Sequence, residues 1–134
     1  VTHRKAERLL EEWRRRLVPE WTVALDWDAT PDSADARLDV VQSTDYHHAT
    51  VRTCPGWLEC DAPHPGDDAD AEREIDLVHE LLHLLLRDLE QAARQAANGL
   101  GDQAHNLARA AWKHALEGAI ERMARAMVDA GPQR

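Results

Sequence analysis

Ile75-Asp76-Leu77-Val78-His79-Glu80-Leu81-Leu82-His83-Leu84-Leu85-Leu86 is the stretch on which the reading of this chain turns. It reads as helix and contains H-E-x-x-H. Residues four apart on a helix lie one turn above each other on the same face, so His79 and His83 can reach one metal ion. Glu80 lies about 100° round from His79, where its carboxylate can meet a water activated at that ion. Two imidazole ligands beside a carboxylate base are the donor set of a hydrolytic zinc site.

Leu77, Val78, Leu81, Leu82, Leu84, Leu85 and Leu86 surround this helix almost completely, and a helix apolar on all sides is buried. Buried charges must be satisfied. The bland alternative is a pair of core histidines bonded to neighbours, with Glu80 at the helix surface. The H-E-x-x-H spacing in the middle of a buried helix favours the metal.

Working outward, Thr2 to Leu17 predicts an amphipathic helix with Ala6, Leu9, Leu10, Trp13 and Leu17 on one face, ended by Pro19. Trp21 to Trp27 alternates as a half-buried strand with Trp21, Val23, Leu25 and Trp27 on one side. A turn follows at residues 28–33. Ala36 to Ser43 is a second strand and His48 to Thr53 a third, in which Ala49, Val51 and Thr53 share a face. The acids of the Pro/Gly-rich loop 61–68 suit the start of the next helix. That motif helix is expected from near Ala69 to at least Leu89, with an extension to Ala97 open. The run Asn98-Gly99-Leu100-Gly101 is a stop signal, and a last helix spans about Asp102 to Asp129. The expected fold is α+β: an antiparallel or mixed sheet of about three strands packed on three main helices, in one domain over residues 1–134.

The 134 residues, 43% of them hydrophobic, suit one domain with a core built on Trp and Leu. A formal charge of −9, with no basic patch along the chain, argues against nucleic acid as a partner. No run of apolar residues is long enough for a membrane span, and the charged N-terminus lacks a signal core. Cys54 and Cys60 read first as free thiols of a cytoplasmic protein, then as a disulfide; a second zinc using them with His64 matches no common spacing.

A catalytic zinc takes three protein ligands. Leu86 stands where the extended three-histidine motif needs Gly, and Glu90 lies near the place of its third His, so that form is excluded. The last helix offers Glu117 and Glu121 beside an apolar stripe of Trp112, Leu116, Ile120, Met123 and Met127. One of the two carboxylates is expected as the third ligand, with Gly118 permitting close approach. The alternative is that both pair with Arg125 on a solvated face.

With L-V-H-E-L-L-H-L-L-L at 77–86 and E-x-x-x-E-R-x-A at 117–124, the chain resembles the small gluzincin-type peptidases, minimal relatives of thermolysin, and uncharacterised phage and bacterial proteins of this kind. The resemblance covers most of the chain. It implies that Glu117 binds zinc, that Glu121 bonds His79 from behind, and that Glu80 is the general base. The spacing from His83 to Glu117 is longer than in the minimal forms. The family's substrate-polarising Tyr or His has no secure match among Tyr46, His105 and His114; His114, one turn before Glu117, is the first choice, with a structural or ligand role as its alternative. The resemblance further implies peptide hydrolysis, with a substrate strand docking on an edge strand, for which His48–Thr53 is the candidate. The competing readings are a zinc-binding interaction or latent regulatory protein without general proteolysis, and a regulatory protease with a single protein target. The residues carry no statement about oligomeric state.

Overall fold

Thr2 caps the first helix: its hydroxyl accepts from the Lys5 amide at 3.2 Å, satisfying one of the amides a helix start leaves open. The computed structural model describes residues 2–27, 38–42, 47–54, 56–59 and 68–131. Helix α1 (His3–Leu17) buries Ala6, Leu9, Leu10 and Trp13, the face set by its three-and-four spacing. Strand β1 (Thr22–Asp26) follows, then β2 (Leu38–Gln42) and β3 (His48–Thr53). Alternation decides their faces: Ala49, Val51 and Thr53 of β3 are buried, with His48 exposed and Thr50 and Arg52 half-buried between them.

The sheet is mixed, in the order β1-β3-β2. Strand β3 pairs parallel with β1, Val23 opposite Ala49, and antiparallel with β2, Val40 opposite Val51. This corrects one expectation. His48–Thr53 is the central strand, hydrogen-bonded along both sides, and has no edge to offer. Of its two neighbours, β2 is the edge that packs against the motif helix.

Helix α2 (Ala69–Leu85) begins at Asp68, whose carboxylate accepts from the Asp70 and Ala71 amides. It is the hub of the molecule, touching α1, β2, α3 and α4. Its Ile75, Leu77, Val78, Leu81, Leu82 and Leu84 are all buried. Two indoles tie it down: Trp13 Nε1 donates to Glu74 at 2.7 Å and Trp57 Nε1 to Asp76 at 2.9 Å.

The motif helix does not run on to Leu89. The backbone leaves helical dihedrals at Leu86 (φ −95°, ψ 10°), and a separate helix α3 (Arg87–Asn98) starts there. The break falls where burial ends: only Ala97 of α3 is buried, and Asp88 and Glu90 occupy its first turn, where acids favour a new helix start. Helix α4 (Asp102–Ala130) then packs its Ile120 and Ala124 into the core against α2. Four helices and a three-stranded sheet make the described residues an α+β fold. Among them no helix is long and apolar enough to cross a membrane. The turn expected at 28–33, Tyr46, Cys60 and His64 lie outside the described residues; Cys54 is half-buried against the core.

Candidate metal centre

His79 and His83 project from the same side of α2, their ring centroids 5.1 Å apart. Opposite them, α4 presents Glu117. His79 Nε2 lies 3.0 Å from Glu117 Oε2, and His83 Nε2 lies 3.0 Å from Glu117 Oε1. The outer ring nitrogens are held as well: His79 Nδ1 donates to Glu121 at 2.9 Å and His83 Nδ1 to Glu90 at 2.8 Å.

A neutral imidazole that donates from Nδ1 keeps its lone pair on Nε2 and points it forward. Both rings therefore aim a ligand atom at the same carboxylate, and one ligand atom from each of His79, His83 and Glu117 lies within 4.8 Å of the others. Two donors on one tetrahedral zinc stand about 3.4 Å apart, given bonds of about 2.0–2.2 Å. The two 3.0 Å contacts go to different oxygens of Glu117, so the three side chains would have to close on one point to hold an ion. The donor set, two imidazoles and a carboxylate with both rings oriented from behind, fits zinc.

The charges point the same way. Burial pulls His83 down, but its bonds to Glu117 and Glu90 outweigh this and push it up to about 10. His79 is also raised, burial being overcome by the Glu117 bond and the nearby Glu80 charge. Those imidazole bonds, His79 first, hold Glu117 well below the usual carboxylate range. Four carboxylates, Glu80, Glu90, Glu117 and Glu121, thus surround two imidazoles. The group holds protons tightly, and a dication can take their place.

Glu80 sits on the neighbouring face of α2, 8% exposed. Burial pushes its carboxyl up to about 7, against the pull of His79 and His83. With His83 and Glu117 it lines a cleft of about 1140 Å³, walled by β2, α2, α3 and α4. At the β2 wall Arg52 donates to Asp39 at 2.7 Å and through a second bond. Behind Glu121, Arg125 donates to it at 3.0 Å and to the buried Glu72 at 2.7 and 3.1 Å. The series Glu72–Arg125–Glu121–His79 fixes the first ring from the far end of α2.

Comparison with known proteins finds no match: no family model, no curated protein and no solved structure.

Of the residues singled out in the sequence, His79, His83 and Glu117 are brought together, Glu121 stands behind His79, and Glu80 opens on the cleft. Arg125 does pair, with Glu121 and Glu72, while Glu117 turns to the imidazoles. His114 is not brought in: it is exposed on α4 and does not line the cleft. His105 is engaged elsewhere, its Nδ1 donating to the Ala97 carbonyl at 2.8 Å between α4 and α3. The room at Gly118 faces the Arg122 guanidinium, 3.3 Å from where a Cβ would stand, and not α2. In the sequence Glu90 stands only near the place of the missing third histidine. Seven residues is about two helical turns, so its place on the His83 side was the available signal; the Asp39–Arg52 pair carried none.

Proposed function

We propose that this chain is a zinc-dependent metallopeptidase of the glutamate-ligated kind, with His79, His83 and Glu117 as metal ligands and Glu80 as general base. The observation that carries the reading is the convergence of the two Nε2 atoms on Glu117 while Glu121 and Glu90 hold the two Nδ1 atoms. A structural histidine pair has no need of four carboxylates. The kinship to gluzincin-type peptidases implied by the motifs belongs to the same proposal.

When bound, zinc supplies Lewis acidity for a carbonyl and lowers the pKa of water at its open position. Glu80 takes a proton from the attacking water on its carboxylate and returns it to the leaving amine. In the metal-free protein burial pushes Glu80 up to about 7, and that same burial is what makes its carboxylate a stronger proton acceptor than an exposed glutamate. Glu121 and Glu90 keep the imidazoles from turning. Among the described residues no strand pairs with the outer edge of β2, which supports docking of an extended peptide by backbone pairing beside the ligands, in place of the β3 edge expected from the sequence. A cytoplasmic setting is part of the proposal.

Glu80→Gln is the test. It should keep one zinc per chain, measured by metal analysis, while peptide hydrolysis falls by about a hundredfold or more. Hydrolysis at the parent rate would overturn the mechanism. One observation favours the second reading, a zinc-binding interaction or latent regulatory protein: among the described residues neither His105 nor His114 lines the cleft to polarise a substrate. Metal binding without cleavage of a peptide library, with a chelator control, would decide for it.

A further inference from the structure

The cleft is charged opposite to the molecule around it. The chain carries a formal −9, and its cations look scattered along the sequence, yet Arg87, Arg94, Arg109 and Lys113 all line this cleft. The acids that line it are committed: Asp39 to Arg52, Glu90 to His83, Glu117 to both imidazoles, and Glu80 buried as the base. The four cations have no ion pair among the described residues. Arg87 rests its guanidinium over the Trp21 ring, 5.4 Å from the centroid, and its buried Nε finds no hydrogen-bond partner. Arg94, Arg109 and Lys113 are exposed.

On α4 the cations form a row. Arg109, Lys113 and Glu117 follow at intervals of four and so climb one side of the helix. Lys113 stands about 6 Å and Arg109 about 12 Å from Glu117 along the axis. A peptide running along this side of α4, at about 3.3 Å per residue, would pass Lys113 about two and Arg109 about four residues from the bond at the metal.

We propose that the cleft selects acidic peptides, taking Asp or Glu side chains about two to four positions from the scissile bond, all on one side of it, along the Arg109–Lys113 row and the facing Arg94. The specificity rests on the peptidase reading above, but the charge selection does not. A polyanion such as a nucleic acid would meet the same cations. The peptide is favoured because, among the described residues, the opposite wall is an unpaired strand edge whose alternating N–H and C=O groups match a peptide backbone, whereas a phosphodiester backbone has no donors for the carbonyls.

The experiment uses zinc-loaded Glu80→Gln protein and fluorescent ten-residue peptides that are acidic, neutral or basic but otherwise matched, with a single-stranded oligonucleotide as a fourth probe. The acidic peptide should bind at least about tenfold tighter than the other two, with the gap closing as salt rises. The gap should also close in Arg109→Glu/Lys113→Glu, and partly in the milder Arg109→Gln/Lys113→Gln, whose circular dichroism should match the parent. Equal binding of the three peptides, or a preference that survives the double reversal, overturns the inference. So does oligonucleotide binding as tight as that of the acidic peptide. Mass mapping of cuts made by the unsubstituted protein separates the two claims. Selective binding without cleavage sinks the peptidase reading and keeps the charge selection; cleavage with no acidic preference does the reverse.

Discussion

Glu80 shows how much one residue's surroundings decide. An exposed glutamate is a weak base at neutral pH, and a fully isolated buried one would stay protonated. Here burial raises the carboxyl to about 7 while the imidazoles restrain the rise. His114 is the contrasting case. On α4, Lys113 and His114 lie on opposite sides of Glu117, about 40° to one side and about 60° to the other. The cleft is on the lysine side, where Lys113, Leu116 and Trp112 line it. A residue chosen for being one turn away therefore falls on the wrong flank. His114→Ala should leave kcat/KM within roughly threefold of the parent, in steady-state assays with a peptide the protein cuts. A loss of about a hundredfold or more, the size expected for removing a transition-state donor, would place His114 in the reaction.

At the scale of elements, the centre depends on three helices meeting, and two carboxylates behind the ligands mark where they do so. Glu121 on α4 holds His79 and Glu90 on α3 holds His83. Glu90→Gln and Glu121→Gln should each retain the fold and weaken zinc binding by about ten- to a hundredfold, because the neutral amide no longer favours the Nδ1–H tautomer. Competition against a chelating dye reads this directly, and unchanged affinity in both variants would show the rings to be held by packing alone. The two carboxylates were not equally legible. Glu121 stands four residues after Glu117 in an evident helix, so local periodicity exposes it. Glu90 lies beyond the break at Leu86, which an unbroken run of leucines conceals. The strands divide similarly: alternation reveals His48–Thr53 and its buried face, because that pattern is local. Its place at the centre of the sheet depends on which strands pair across long separations, and no residue within it encodes that.

The whole molecule gathers negative charge around two imidazoles, and its stability should report that choice as a dependence on metal and pH together. In the metal-free protein His83 is raised from 6.5 to about 10. The stabilisation from its proton is then complete below about 6.5 and lost as pH rises through about 10. Glu117 is depressed, so its contribution is present above the ordinary carboxylate range and lost only in strong acid. Near neutrality the protons thus stand in for the metal, and zinc must displace them to bind. Its advantage grows as protons become scarcer. At zinc about a hundredfold above its dissociation constant, linkage gives about 2.7 kcal/mol, or a Tm higher by roughly 10 °C for a domain of this size. That gain over a chelator control should be present at about pH 8 and shrink towards zero near pH 5.5, because each proton that zinc displaces becomes about tenfold harder to remove per pH unit. Calorimetric scans at the two pH values, with zinc and with chelator, measure it. An equal gain at both would mean that the ion binds elsewhere than on His79 and His83, and the absence of any gain would remove the metal from the fold.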